Sequence, residues 1–175
     1  KLAYLAKSKG KTLVVWDGVE YGEEYDKITS PLYSIDGELA YLAAVTEITE
    51  VYHRKKYTDK WRLVIGQKEE GVGYDSIGSL TTISGKLAYQ ATKKGKFFIV
   101  YDGERFGEEY GDCFNPFDVN GKLAYQIRKN GYQYVVLDGV LGKPYKKIVG
   151  LTTVAGKLAY RAKISADKWV IVMER

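Results

Sequence analysis

Short apolar runs alternate with polar turns along the whole chain, and one of these runs recurs five times. It reads Lys-Leu-Ala-Tyr, or Glu-Leu-Ala-Tyr in one copy, and it places leucines at Leu2, Leu39, Leu87, Leu123 and Leu158. Successive copies lie 37, 48, 36 and 35 residues apart, a period typical of propeller blades and of helical solenoids. The chain is therefore a tandem repeat of one structural unit.

Each unit reads as four short strands, which we name a to d in chain order. Strand a ends in a turn, as in residues 80–85, and strand b carries Leu-Ala-Tyr. Strand c, as in residues 97–101, is apolar without alternation, which indicates burial on both faces. Asp-Gly pairs at 17–18, 102–103 and 138–139 then predict tight hairpin turns into a polar strand d. Apolar residues nowhere keep helical spacing over three turns, so the pattern excludes a helical solenoid.

The chain begins in a strand b, passes through three complete units and ends in a strand c. This order predicts an all-β fold, a β-propeller of four-stranded antiparallel blades, five in number, with incomplete first and last blades. We expect one domain over residues 1–175, with units at about 1–37, 38–85, 86–121, 122–156 and 157–175. The alternative is a processed or excised piece of a longer propeller, which a start at Lys1 without an initiator methionine would suit.

The turn at Ser34-Ile35-Asp36-Gly37, followed by Leu39-Ala40-Tyr41, resembles the Ser-Pro-Asp-Gly turn and Ala-Tyr strand of TolB-like and WD40-like β-propellers. This chain lacks the proline, and Ser84, Asn120 and Ala155 replace the aspartate in later copies. The resemblance implies a propeller used for binding. It assigns no chemistry, because one fold serves many functions.

Composition agrees with one soluble domain in which 45% hydrophobic residues can form a substantial core. No apolar run reaches the roughly 20 residues that cross a membrane, so we expect no membrane insertion, with the cytoplasm as the favoured compartment. The single cysteine, Cys113, cannot form an internal disulfide and is expected to be a small buried residue. Few asparagines and glutamines beside many lysines and glutamates suggest a thermophilic source.

Candidate catalytic and metal-binding residues are few. His53 is the only histidine and stands in an expected exposed insertion, so neither a zinc site nor a catalytic triad can be assembled around it, and no cofactor is expected. The Asp-Gly carboxylates are alternative calcium ligands, but hairpin turns explain them without a metal. The pairs at 23–24 and 108–109 recur in two units, which favours a surface role over an active site. Asp118 is the one non-repeated carboxylate near the expected central channel.

Charge is distributed unevenly between the two kinds of hairpin turn. The connections between strands b and c, at residues 7–11, 44–60, 92–96, 128–131 and 163–168, carry a formal charge of +10. Those between strands c and d, at residues 17–24, 66–75, 102–109 and 138–143, carry −9. In a propeller these ends lie on opposite faces, so the sequence predicts one basic and one acidic face.

The second unit has about eleven extra residues between strands b and c, and this insertion is expected on the basic face. A cationic run lies between two tyrosines in this predicted loop, a composition that suits an anionic partner. The simpler interpretation of the segment is an extended, solvated hairpin. With lysines from other b–c turns, the predicted binding residues are Tyr52, His53, Arg54, Lys55, Lys56, Tyr57, Lys9, Lys94 and Lys129.

The sequence thus favours a non-enzymatic binding module that presents a basic loop face to an acidic protein surface or another polyanion such as nucleic acid, monomeric if the ring closes. One alternative is a lectin-like propeller that binds carbohydrate on Trp16, Tyr101 or Trp169, although Ile65 and Leu137 at equivalent positions argue for packing. A further alternative is a glycoside hydrolase that uses Asp118.

Overall fold

The computed structural model describes residues 2–174 except Lys9, Glu23 and Asp36, and describes only the backbone of Ser30 and Glu109. These residues form eighteen β-strands and one turn of 3-10 helix at Glu108–Tyr110, so the predicted all-β class is confirmed. In this part of the chain no helix is long and apolar enough to cross a membrane.

The strands form five antiparallel sheets, each built from strands that follow one another in the chain. Two sheets have three strands. Sheet 1 contains β1 (Ala3–Ser8), β2 (Lys11–Trp16) and β3 (Val19–Tyr21). Sheet 5 contains β16 (Lys147–Val154), β17 (Lys157–Lys163) and β18 (Trp169–Met173).

Three sheets have four strands, in the order a, b, c, d. Sheet 2 contains β4 (Lys27–Ile35), β5 (Glu38–Val51), β6 (Arg54–Ile65) and β7 (Lys68–Tyr74). Sheet 3 contains β8 (Ser76–Ile83), β9 (Lys86–Lys93), β10 (Lys96–Tyr101) and β11 (Glu104–Phe106). Sheet 4 contains β12 (Asp112–Val119), β13 (Lys122–Lys129), β14 (Tyr132–Leu137) and β15 (Val140–Leu141). The predicted strand order, with short first and last sheets, is confirmed.

The Asp-Gly pairs form the hairpin turns that the sequence predicts. Asp102 and Gly103 have φ angles of 52° and 79°, and Asp138 and Gly139 have 52° and 78°. Two successive positive φ angles define the type I′ turn, whose twist matches that of the flanking strands. Aspartate and glycine are among the residues that adopt this conformation at low cost.

The sequence did not indicate an irregularity in the a strands. In β4, β12 and β16 the pairing with the next strand shifts register near the middle of the strand. The residues at the shift include Asn115 with φ 37° and Gly150 with φ 67°, and Ser79 at the equivalent position of β8 has φ 52°. Such a bulge bends the strand and increases its twist.

The described chain divides into two compact units, Lys1–Ile77 and Gly78–Arg175. In the first unit, Val14 of sheet 1 packs in one apolar cluster with Leu39, Tyr41 and Val64 of sheet 2. In the second unit, sheets 3 and 4 share one such cluster and sheets 4 and 5 share another. The expected single domain over residues 1–175 stays a prediction.

Cys113 is fully buried between sheets 3 and 4, which confirms its expected role as a small core residue. Its thiol donates a hydrogen bond to the Gly107 carbonyl at 3.1 Å. Gly107 has φ 84°, and a Cβ atom at this position would overlap the Cys113 sulfur. The glycine is therefore required both by backbone conformation and by the close approach of the thiol.

Candidate functional site

The extra residues of the second unit form an extended β-hairpin, as the simpler of the two interpretations of this segment predicted. β5 has 14 residues and β6 has 12, whereas their counterparts β9 and β10 have 8 and 6. The two strands pair without a break from Ala40–Ile65 to Val51–Arg54. We call residues 46–59 the hairpin arm. Because every residue of the arm except Tyr52 and His53 is in a ladder, the register fixes where each of these side chains points.

The tip of the arm is a two-residue turn formed by Tyr52 and His53. Their φ angles are 50° and 58°, so both non-glycine residues adopt the left-handed conformation. Tyr52 is 93% exposed, and the exposed His53 ring places Nδ1 3.8 Å from the Glu50 carboxylate. Both predicted tip residues are thus fully accessible, in a turn for which asparagine and glycine are the favoured residues.

Strand alternation separates the cationic run into two faces. Arg54 lies opposite Val51 and Lys56 opposite Thr49, and these four side chains share one side of the ladder, which we call the Arg54 face. The intervening Lys55 points to the other side of the ladder. Two neighbouring cations on one face of a strand are about 6.6 Å apart along the backbone.

The opposite side, which we call the Tyr57 face, carries a different set. Lys55 lies opposite Glu50, and Tyr57 lies opposite Ile48. Tyr57 and Ile48 are both more than half exposed. The outer part of this face, from Ile48 to Tyr57, is apolar with one cation and one carboxylate directly across from each other, so the net charge of this part is zero.

Ionic contacts fix the base of the arm. Asp59 accepts hydrogen bonds from the Lys27 ammonium at 2.5 Å and the Thr46 hydroxyl at 2.9 Å. These contacts, the Lys27 bond first, lower the pKa of the Asp59 carboxyl. Across the sheet, Lys60 donates to Asp75 at 2.7 Å, and this bond raises the pKa of the Lys60 ammonium.

The cations of the distal arm are available to a partner. Arg54, Lys55 and Lys56 are exposed, and none of them is ion-paired with another residue in the described part of the chain. On the Arg54 face the nearest carboxylate along the ladder is Glu47, which is opposite Thr58. The Arg54 face is therefore the more basic side of the arm, at its outer end.

The remaining predicted residues lie elsewhere. Lys94 occupies the β9–β10 turn with φ 52° and is exposed. Lys129 ends β13, and its ammonium lies 5.4 Å from the centre of the Tyr110 ring. Lys9 lies outside the described residues. The structure joins Tyr52 to Tyr57 in one hairpin of the first unit. It places Lys94 on a turn and Lys129 at a strand end of the second unit.

The residues proposed for carbohydrate stacking take part in packing. Trp16 is half-buried beside Tyr21, at 6.2 Å between ring centres, and lines a surface cleft of about 460 Å³. Tyr101 packs against the core of sheets 3 and 4. Trp169 is more exposed, but the Arg161 guanidinium lies 5.2 Å from its ring centre.

The carboxylates considered for catalysis have structural partners. Asp118 is exposed and accepts a hydrogen bond from the Gly121 N–H at 2.8 Å, which closes the turn between β12 and β13. Glu108 is ion-paired with Arg105 at 3.1 Å. Glu23 and the side chain of Glu109 lie outside the described residues.

The Asp-Gly carboxylates face lysines. Asp102 is ion-paired with Lys86, and Asp138 with Lys122 at 3.2 Å. Each lysine is the first residue of a Lys-Leu-Ala-Tyr copy, so the turn and the repeat motif are linked electrostatically. The described residues include no group of three or more His, Cys, Asp or Glu side chains that could hold a metal ion.

The sequence interpretation missed the apolar residues of the arm. Val51 and Ile48 are both half-exposed or more and stand directly across from Arg54 and Tyr57. A two-residue turn at 52–53 would have fixed these pairs, but Tyr-His gives no turn signal of the Asn-Gly kind. Comparison with family models gives no match for this chain, and a search of curated proteins finds no relative.

Proposed function

We propose that this chain is a non-enzymatic binding module in which the Arg54 face of the hairpin arm docks on an acidic protein surface. The observation that carries the proposal is the extension of one hairpin, out of five, by six residues in each strand. An extension of a single repeat introduces an individual site into an otherwise repetitive scaffold.

Three features of the Arg54 face suit an acidic protein partner. Arg54 and Lys56 supply two exposed cations on one side of a rigid ladder, and Arg54 can form paired hydrogen bonds with a carboxylate. Val51 adds exposed apolar area beside them. A polar rim around an apolar contact is the usual composition of a protein interface.

Single-stranded nucleic acid is the less suitable polyanion. Its recognition combines phosphate contacts with stacking of bases on aromatic rings. In the arm, Tyr57 points to the side opposite Arg54 and Lys56. The Tyr57 ring and the cation pair therefore do not form one surface.

We also propose that the scaffold for this site is a β-propeller of five blades. Equivalent residues of successive a strands contact each other in the second unit: Ser79 donates to Asn115 at 2.7 Å, and Thr153 donates to the Asp118 carbonyl at 3.4 Å. Such side-by-side contacts between equivalent positions support a blade arrangement, with the b–c turns of sheets 3 to 5 on one side. The number of blades stays a prediction.

The test is charge reversal on the arm. We expect the triple variant Arg54→Glu, Lys55→Glu, Lys56→Glu to lose binding to poly-L-glutamate, measured by titration at low and at physiological salt. Binding by the unmodified protein should weaken as salt is added, because exposed charges are screened. The pair Arg54→Glu, Lys56→Glu should reproduce most of the loss, and Lys55→Glu alone should not.

The matched control changes net charge equally at other exposed lysines, with Lys68→Glu, Lys143→Glu and Lys157→Glu. If this control loses binding to the same extent, net charge and not the arm is responsible. If Lys55→Glu alone lost as much poly-L-glutamate binding as the Arg54→Glu, Lys56→Glu pair, the Arg54 face would be excluded as the site. A single-stranded oligonucleotide that binds more tightly than poly-L-glutamate would favour nucleic acid instead.

A further inference from the structure

In the described part of the chain, each strand of the hairpin arm has one open edge. β5 pairs with β4 only as far as Ala44, and β6 pairs with β7 only from Trp61 inward. Beyond these points no third described strand is paired with residues 46–51 or 54–59. Residues 48–57 are also exposed. The backbone groups on the two open edges can therefore pair with an added strand.

The ladder determines which backbone groups point to these edges. In an antiparallel pair of strands, residues that exchange hydrogen bonds alternate with residues whose N–H and C=O groups point away from the partner strand. Thr46 is of the second kind, because its N–H donates to Asp26 Oδ2 at 2.8 Å, outside the ladder. Ile48 and Tyr57 form the next pair of this kind, two positions further along, and the pair that contains Lys55 follows. The N–H groups of Tyr57 and Lys55 thus point to the open edge of β6.

The two open edges carry opposite charges. The β5 edge, residues 46–51, contains Glu47 and Glu50 and no cation. The β6 edge, residues 54–59, contains three cations and one carboxylate, Asp59, which is hydrogen-bonded to the Lys27 ammonium. An acidic strand is therefore repelled by the β5 edge and attracted to the β6 edge.

The register of the arm also predicts which side of an added strand is acidic. Lys55 already faces Glu50 directly across the ladder, so its charge has a counterpart. Arg54 and Lys56 both face uncharged residues. A strand added to the β6 edge lies about 5 Å from it. Carboxylates at every second position of that strand would stand beside Arg54 and Lys56, and the uncharged positions between them would stand beside Tyr57.

We propose that the β6 edge of the arm binds an extended acidic segment of a partner protein by strand addition, with carboxylates at every second position of the segment. This inference rests on the proposed function and specifies the form of the partner. The added strand forms backbone hydrogen bonds with Lys55 and Tyr57, and its carboxylates pair with Arg54 and Lys56. In strand addition the main chain supplies affinity, and alternate side chains supply specificity.

The first test uses a peptide of alternating sequence, Val-Glu-Val-Glu-Val-Glu-Val, with blocked ends and a dye for fluorescence anisotropy. In the bound strand the valine N–H groups point to β6 and the glutamate N–H groups point away. N-methylation of the two inner valines should therefore weaken binding on the order of tenfold or more, because two hydrogen bonds are lost. N-methylation of two glutamates is the matched control with the same charge, and it should change affinity by less than about twofold.

The second test removes one outward N–H from each edge of the protein. Tyr57→Pro does so on the β6 edge and leaves the three cations and the hydrogen bonds of the ladder in place. Ile48→Pro does the same on the β5 edge, directly across the ladder. Proline is tolerated on an edge strand where the N–H faces solvent. We expect Tyr57→Pro to weaken binding of the alternating peptide on the order of tenfold and Ile48→Pro to leave it unchanged. Tyr57→Thr, which keeps the N–H, should have a smaller effect than Tyr57→Pro.

Equal affinity of the two methylated peptides would overturn the proposal, since charge alone would then attract the segment. Equal losses in Tyr57→Pro and Ile48→Pro would exclude the β6 edge as the place of addition. A protein that binds poly-L-glutamate but not the alternating peptide would also contradict strand addition. The proposed function fails on a different result, namely poly-L-glutamate binding that survives charge reversal at Arg54 and Lys56.

Discussion

At the scale of single residues, the first unit contains a partly buried network of three polar side chains. The Tyr25 hydroxyl donates to Glu69 Oε1 at 2.8 Å, and Arg62 Nη1 donates to the same oxygen at 2.7 Å. The guanidinium also lies 5.6 Å from the centre of the Tyr25 ring. The Arg62 hydrogen bond lowers the pKa of Glu69, whereas burial, followed by the bond to Glu69, raises the pKa of Tyr25. The network is thus stable as carboxylate, guanidinium and neutral phenol.

We expect Glu69→Gln to reduce the free energy of unfolding by about 0.5–1 kcal/mol at neutral pH, because Arg62 then lies partly buried without a countercharge, while solvent screens the exposed part of the pair. A carboxyl group with a lowered pKa stabilises the fold above its ordinary value, here 4.5, and this stabilisation is lost as the pH falls through the lowered value. Urea unfolding of both proteins over a pH series should therefore show a difference that shrinks in acid.

The control for this prediction is Glu70→Gln, which changes the exposed neighbour on the other side of the same strand. It should have little effect at any pH. A stability difference for Glu69→Gln that stays constant down to about pH 2 would show that the ionised carboxylate is not its cause.

At the scale of elements, the hairpin arm combines a regular ladder with an unfavourable turn. All residues from 48 to 57 are exposed, so the arm gains little from burial and depends on its backbone ladder and cross-strand pairs. Its turn holds Tyr52 and His53 in the left-handed conformation, which costs an L-residue roughly 1–2 kcal/mol. The equivalent turns of sheets 3 and 4 have glycine as their second residue, at Gly95 and Gly131. The tip is strained where the other turns are not.

Replacing Tyr52 with Asn and His53 with Gly should therefore stabilise the arm. Hydrogen exchange of the amides in the Thr49–Lys56 part of the ladder should slow by about tenfold, which corresponds to roughly 1.4 kcal/mol. Poly-L-glutamate binding should remain, because Arg54 and Lys56 are unchanged.

The matched variant Lys94→Asn alters the β9–β10 turn and should leave exchange in the arm as it was. Exchange in the arm that is unchanged or faster in the Tyr52→Asn, His53→Gly protein would mean that the tip is not strained.

At the scale of the whole molecule, the packing of the repeats does not depend on the hairpin arm. The core clusters consist of residues outside the arm, and the nearest of them is Val45, next to the base of the arm. The base itself is fixed by Asp59 with Lys27 and Thr46. The scaffold should therefore fold without the outer arm.

We expect replacement of residues 48–57 by Asn-Gly to leave the melting temperature within about 4 °C of the original, since the removed residues are exposed. The register is kept, because Glu47 and Thr58 lie four pairs from Val51 and Arg54 and so belong to the same class of antiparallel pair. Binding of poly-L-glutamate should be lost. Thermal melting and titration check these outcomes. A shortened protein that still binds would locate the site elsewhere, and one that does not fold would show that the arm stabilises the repeats.

Much of the fold could be predicted because it depends on local chemistry. Each of three features can be recognised within a stretch of ten residues: the Asp-Gly turns, the Leu-Ala-Tyr motif and the apolar c strands. Together they predicted the strand order of all five sheets. The site was only partly predictable. The sequence shows the run of cations. Its division into an Arg54 face and a Tyr57 face depends on a turn at Tyr52 and His53, and these residue types do not predict a turn.

The sequence by itself determined the repeat, the strand order and the turns at Asp102 and Asp138, because each follows from the preferences of neighbouring residues. Only the tertiary structure decided which side chains meet over long separations, such as Tyr25 and Glu69. It also decided the different environments of Tyr4 and Tyr41, which stand in nearly identical local sequences. Tyr41 is buried because sheet 1 packs against it, whereas Tyr4 of sheet 1 is 49% exposed.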